Sequence, residues 1–124
     1  MSLPSDLKYS KDHEWLKIEG ATATIGITDF AAKQLGDIVF VELPKVGASF
    51  KAGDTLGVVE STKTASDVFY PVSGKVLAVN EALLDAPELI NQEPYGQGWF
   101  IKVECATPGE FDGLLDAAAY QALI

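Results

Sequence analysis

The chain has no arginine, one histidine (His13) and one cysteine (Cys105) in 124 residues. Nine lysines face eighteen carboxylates, for a net charge of −9. That balance excludes nucleic acid, whose binders draw most of their affinity from cationic side chains. Without arginine there is no bidentate clamp for phosphate-rich ligands, and an anionic membrane surface is disfavoured for the same reason. A lone cysteine cannot form an internal disulfide. A lone histidine leaves no Ser-His-Asp or Cys-His constellation a second base, and one His with one Cys is too few for a zinc site. No run approaches the roughly 18 apolar residues of a membrane span. The first six residues lack the basic start and apolar stretch of a signal peptide, and the Arg/Ser richness of a transit peptide. The expected setting is therefore a bacterial cytoplasm, or a mitochondrion only if a leader was removed. Gly96-Gln97-Gly98 runs into a strand rather than a helix N-terminus, so it is no phosphate loop. An autonomous enzyme is not expected.

What is present is a chain 48% hydrophobic, enough to build a core without disulfide support. The length predicts a single domain over 1–124, with a β body over about 9–103 and a helical tail over about 108–124. Short apolar runs punctuated by Gly and Pro make the fold class mainly β. Trp15–Glu19 and Ala21–Ile27 read as a hairpin turning near Gly20. Thr28 then caps a short helix in the N-terminal half, with Asp29 in its first turn and Gly36 as its left-handed stop. Ile38–Leu43 is almost continuously apolar and reads as a well-buried strand. Strands follow near 55–59, 65–70, 75–79 and 99–103. In the tail, Phe111, Leu114, Leu115, Ala118, Ala122 and Leu123 recur at helical spacing, and Asp116 can cap the second of two short helices.

One segment departs from ordinary turn chemistry. Two-residue hairpin loops favour Asn or Gly, because the preferred turns need positive φ. The tip between Val58-Val59-Glu60 and Asp67-Val68-Phe69 has neither. One lysine, Lys63, sits there among Ser61, Thr62, Thr64, Ala65 and Ser66, all too small to cover its amine. On composition alone it is a solvated turn lysine. Turn chemistry that breaks a local rule is also where a functional demand is to be sought.

The residues Glu60-Ser61-Thr62-Lys63-Thr64-Ala65-Ser66-Asp67, followed by Tyr70-Pro71-Val72-Ser73-Gly74-Lys75-Val76, resemble the lipoyl-lysine hairpin of the glycine cleavage H-protein family. His13-Glu14-Trp15, Gly26-Ile27-Thr28, Leu35 to Pro44, Asn91 and Pro94 to Trp99 resemble further motifs of that family in its order and spacing. The resemblance covers roughly residues 7–124. Thr62 and Thr64 stand where many members carry Val and Ala. The fold it implies is a barrel-sandwich hybrid, lipoyl- or biotinyl-carrier-like, with short C-terminal helices.

The function it implies is a non-enzymatic carrier, with lipoic acid joined to Lys63 as an amide and acting as a swinging arm. Its implied partners are a pyridoxal-phosphate glycine decarboxylase, a tetrahydrofolate-dependent aminomethyltransferase, a dihydrolipoyl dehydrogenase, and the lipoate ligase or lipoyl transferase that loads it. The carrier passes an aminomethyl group between the first two and electrons to the third. The loaded arm is basic, so a carboxylate should hold it. Glu14, in the N-terminal signature, and Asp67, four residues past Lys63, are the expected arm contacts. No catalytic residue and no metal ligand is assigned, and a monomer is expected, since a shuttle must leave its partners. Two other readings stand beside this one. A lipoyl-relay protein that donates lipoate to other complexes has the same hairpin, and an unmodified β module binds partners with Lys63 free. A biotin carrier is disfavoured because no methionine flanks the lysine.

Overall fold

The computed structural model describes residues 3–124. Its strands are β1 (Lys8–Tyr9), β2 (Glu14–Glu19), β3 (Thr22–Ile27), β4 (Ile38–Glu42), β5 (Ser49–Phe50), β6 (Thr55–Ser61), β7 (Ala65–Phe69), β8 (Gly74–Val79) and β9 (Ile101–Cys105). The helices are α1 (Asp29–Leu35), α2 (Ala82–Asp85), α3 (Leu89–Gln92) and α4 (Ala117–Leu123), with a 3-10 turn at Pro108–Gly113. All pairings are antiparallel. One sheet runs β1-β2-β3-β9-β8-β5 and the other β4-β6-β7. The fold is mainly β, as expected, and its hydrogen-bond ladders form two sheets rather than one closed ring.

Both sheets feed one core. Leu16, Ile25, Ile101 and Val103 from the larger sheet and Val41, Val59 and Val68 from the smaller pack together, each at most 4% exposed. β9 shows why the sequence folds this way: Ile101, Val103 and Cys105 alternate inward with Lys102 and Glu104 outward, the period-two pattern of a half-buried strand. The strand runs two residues later than the expected 99–103, so Cys105 closes it. Burial pushes its thiol up to about 11, which leaves it protonated and inert.

A second cluster joins the chain ends. Tyr9 stacks on Tyr120 of α4, with centroids 4.9 Å apart. The Tyr9 and Leu115 backbones exchange two hydrogen bonds of 2.7 Å. The tail is thus a short 3-10 turn and one α-helix, the latter capped by the Asp116 carboxylate, which accepts from Ala119 N–H at 2.8 Å.

One expectation fails. In β4 only Ile38 and Val41 are buried, while Val39 and Phe40 are 54% and 47% exposed. The register slips between Ile38 and Phe40, which pair with Ser61 and Glu60. Val39 is the extra residue of a β-bulge, and a bulge turns two successive side chains to the same side. An unbroken apolar run carries no sign of that slip. Phe40 is accordingly no core residue, whereas Trp15 is 2% exposed and Tyr95 and Trp99 are half-buried.

Candidate functional site

The helix α1 begins as the sequence predicts. The Thr28 hydroxyl accepts from Ala31 N–H at 3.3 Å, and Lys33 pairs with Asp29 at 3.1 Å across one turn. An i,i+4 helix pair of this kind stabilises by about 0.3–0.5 kcal/mol. The helix stops at Gly36, with φ 90° and ψ −156°. That conformation lies outside the left-handed helical region and is essentially reserved for glycine.

The hairpin tip explains how the chain turns without Asn or Gly. Ser61 N–H donates to Thr64 C=O at 2.8 Å. The Ser61 hydroxyl accepts from the Lys63 and Thr64 N–H groups, both at 3.1 Å, and donates to Thr64 C=O at 3.2 Å. Among the described residues His13 is the only non-glycine with positive φ, so Thr62 and Lys63 turn in ordinary conformations. A side chain supplies what backbone freedom supplies elsewhere.

Lys63 is exposed at this apex. Neither of the two ion pairs found among the described residues, Lys33–Asp29 and Lys17–Glu19, involves it. Its stem lies over Gly36: a Cβ placed there would sit 3.3 Å from Lys63 Cε and 3.6 Å from Cδ and Nζ. The tip is also tied beside Gly36, because Thr62 N–H donates to Asp37 C=O at 3.1 Å.

Immediately before Gly36 in the chain, Gln34 and Leu35 line a cavity of about 280 Å³. Asp12 and His13 line it from the turn before β2, Glu14 from the first position of β2, and Ser66, Asp67 and Val68 from β7. Glu14 and Asp67 are thus brought to one cavity, with Lys63 beside the helix that walls it. Glu14 is 2% exposed, whereas Asp67 lies at the exposed rim. Burial raises the Glu14 carboxyl to about 8, against the opposing pull of the Ser10 hydroxyl and the Phe69 amide. At neutral pH Glu14 is mostly a neutral acid. A cation entering the cavity favours its ionised form and so releases a proton. A larger groove, about 500 Å³, is lined by Phe40, Leu43, Leu84, Glu42 and Glu81 and contains none of these groups.

Three features escaped the sequence. The Ser10 hydroxyl accepts from Asp12 and Glu14 N–H at 3.2 and 3.1 Å and donates to Glu14 Oε1 at 2.7 Å. The signal existed, a serine two residues before an aspartate in a turn. His13 adopts φ 71°, a strain on the order of 1 kcal/mol. It is held because its C=O accepts from Thr28 N–H at 3.0 Å and its Nδ1 lies 2.7 Å from Tyr120 Oη. Burial lowers the His13 pKa, offset in part by Asp12. Tyr120 is 107 residues away, and no local pattern announces it. Among the described residues no three His, Cys, Asp or Glu side chains are grouped to hold a metal ion, and no helix is long and apolar enough to cross a membrane.

Comparison with known proteins supplies what geometry does not. A family model described as "Glycine cleavage H-protein" matches residues 7–124. A glycine cleavage system H protein of Symbiobacterium thermophilum is 59% identical over 121 residues, covering 98% of this chain and 94% of that one. That of Carboxydothermus hydrogenoformans is 57% identical over 122 residues, with the same coverage. The crystal structure of a glycine cleavage system H protein from Mycobacterium marinum superposes with a TM-score of 0.88. It is 44% identical, and the match covers 97% of each chain.

Proposed function

The chain belongs to the glycine cleavage H-protein family, and from that premise we propose that it is a lipoyl carrier with Lys63 as the attachment site. The observation that carries the reading is the placement of Lys63. It is an exposed amine at a hairpin apex, lying over Gly36, one residue beyond a cavity wall that faces two carboxyl groups. Bound as an amide on Lys63, lipoate supplies the reversible dithiol–disulfide chemistry that no side chain here can perform. The residues present fit that group. The lysine is free of any carboxylate partner among the described residues, and its neighbours at the tip are small enough to leave it open to a loading enzyme.

The protein's own contribution is position and electrostatics. The strands β6 and β7 hold the anchor rigidly while the tip gives reach. Tethering replaces free diffusion with a high effective concentration at each docked partner. The cavity offers Ile27, Ala31 and Val68 to an aliphatic chain and Glu14 and Asp67 to an amine. Glu14 binds a cationic amine by giving up its proton, and Asp67 adds charge at the rim. Water is kept from the amine to the extent that the cavity is filled. In this reading the partners are a glycine decarboxylase, an aminomethyltransferase, a dihydrolipoyl dehydrogenase and a lipoate-loading enzyme, and the chain performs no catalysis itself. The relatives named above are bacterial, which agrees with a bacterial cytoplasm as its setting.

The test is to load the lipoylated protein using glycine and a glycine decarboxylase, then follow ammonia release. Glu14→Ala should accept lipoate normally and release ammonia faster than the parent. An unchanged release rate would remove Glu14 from the role, and failure of the parent protein to load at all would overturn the carrier reading.

A further inference from the structure

Beneath the carrier lysine is a bend whose two flanking backbone groups are held by a single side chain from a different element. Asn91, in α3, donates from Nδ2 to Gly36 C=O at 2.9 Å and accepts at Oδ1 from Ile38 N–H at 2.9 Å. It therefore spans Asp37 like a staple. Asp37 C=O in turn accepts from Thr62 N–H, and Ile38 pairs with Ser61. Gly36 carries the Lys63 stem on its bare face. Gly36 sits at a conformation reserved for glycine, and Ile38 opens a bulged strand at the edge of its sheet. Neither has the regular ladder on both sides that would otherwise fix it.

We propose that Asn91 is a positioning residue for Lys63: by clamping Gly36 and Ile38 it fixes the shelf on which the lysine stem lies and to which the hairpin tip is bonded. This inference rests on Lys63 being the attachment site only for its functional consequence; the mechanical link is independent of it. An amide suits the task because it presents one donor and one acceptor in a fixed fork. Without the fork, Gly36 C=O and Ile38 N–H lose their partners, the bend loosens, and the Thr62 bond opens with it. A lysine presented from a loosened tip meets a loading enzyme's active site in the reactive position less often.

A matched control exists. Asn80 also makes two side-chain bonds, from Nδ2 to Gln97 C=O at 2.7 Å and to Trp99 C=O at 2.8 Å, and neither partner is hydrogen-bonded to the hairpin tip. Asn91→Ala and Asn80→Ala should therefore both lower the melting temperature. Only Asn91→Ala should speed hydrogen exchange at the Thr62 amide, by about tenfold. Well below its melting temperature, it should also reduce the kcat/KM of a lipoate ligase for the carrier by roughly tenfold. Asn91→Asp keeps the acceptor for Ile38 but sets a carboxylate oxygen against Gly36 C=O where the donor stood, so it should not restore the parent's behaviour in either reading. If Thr62 exchange and ligase kinetics respond no more to Asn91→Ala than to Asn80→Ala, the side chain is merely structural and the proposal is wrong. Should the parent accept no lipoate, the Thr62 exchange still decides the inference, while the carrier reading fails separately.

Discussion

Two hairpins carry the residues of the proposed site, and they use opposite ends. The hairpin of β2 and β3 has its proposed arm contact at the root, where Glu14 pairs with Ile27; its apex is Gly20 at φ 63° in open solvent. The hairpin of β6 and β7 carries Lys63 at the apex, and Asp67 further down pairs with Val58. The turns differ accordingly. Gly20 turns the chain by its backbone freedom, with one side-chain bond across the turn, from the Thr22 hydroxyl to Glu19 C=O at 2.8 Å. The second hairpin turns through the Ser61 hydroxyl, whose three hydrogen bonds leave both apex positions in conformations any L-residue can adopt. An apex that must present a long side chain cannot depend on glycine at that position. The comparison shows how a loop can be tight and still present a long side chain at its apex.

The sharpest way to test the root of the first hairpin is through pH. The folded-state pKa of Glu14 is raised to about 8, above its unfolded value. Its contribution to stability is therefore fully present below the unfolded pKa and lost as pH rises through about 8, with a slope of up to about 1.4 kcal/mol per pH unit. The lowered pKa of His13 acts the other way: its contribution is present above the unfolded value and lost as pH falls through the folded one. Between pH 6.5 and 8 the fall is thus due to Glu14. Denaturant melts over that window should show stability declining in the parent and nearly flat in Glu14→Gln; parallel declines would mean that Glu14 does not carry the buried proton.

At the tip of the second hairpin, Ser61→Ala removes the three bonds that replace glycine. Stability should drop by about 1 kcal/mol, and the rate of lipoate attachment should fall in protein that remains fully folded. A stability loss with unchanged attachment kinetics would separate turn formation from lysine presentation. The mirror experiment is smaller. Gly20→Ala should cost about 1 kcal/mol for the left-handed conformation alone, since no atom lies within 4 Å of the new methyl. Gly20→Asn should recover most of that loss, and neither should alter attachment at Lys63. An effect of Gly20 on attachment would show that the two hairpins are mechanically coupled.

Much of this was legible because it is local. Thr28 capping α1, Gly36 ending it and Asp116 capping α4 are each decided within a few residues, and the structure agrees with them, whereas the last strand, expected over 99–103, runs from Ile101 to Cys105. The two carboxyl groups named as arm contacts do line one cavity. What was not legible depends on distance or on register. The bulge at Val39 leaves no mark in an apolar run, so Phe40 reads as core and lies exposed. Glu14 is an expected arm contact, but nothing in its neighbours announces its burial, which comes from β7 and α1 closing over the first residue of β2. Tyr120 reaches His13 and Thr28 across the whole chain, and the Asn91 staple joins residues 53 and 55 positions apart. Sequence periodicity says which way a side chain faces, but not which distant group it meets.

The central claim is that Lys63 alone among nine lysines bears the cofactor, and the intact mass of the protein tests it most directly. Incubated with lipoate, ATP and an active lipoate ligase, the parent should gain the mass of one lipoyl group and Lys63→Arg should gain none. No gain in the parent, or an equal gain in Lys63→Arg, would contradict the account.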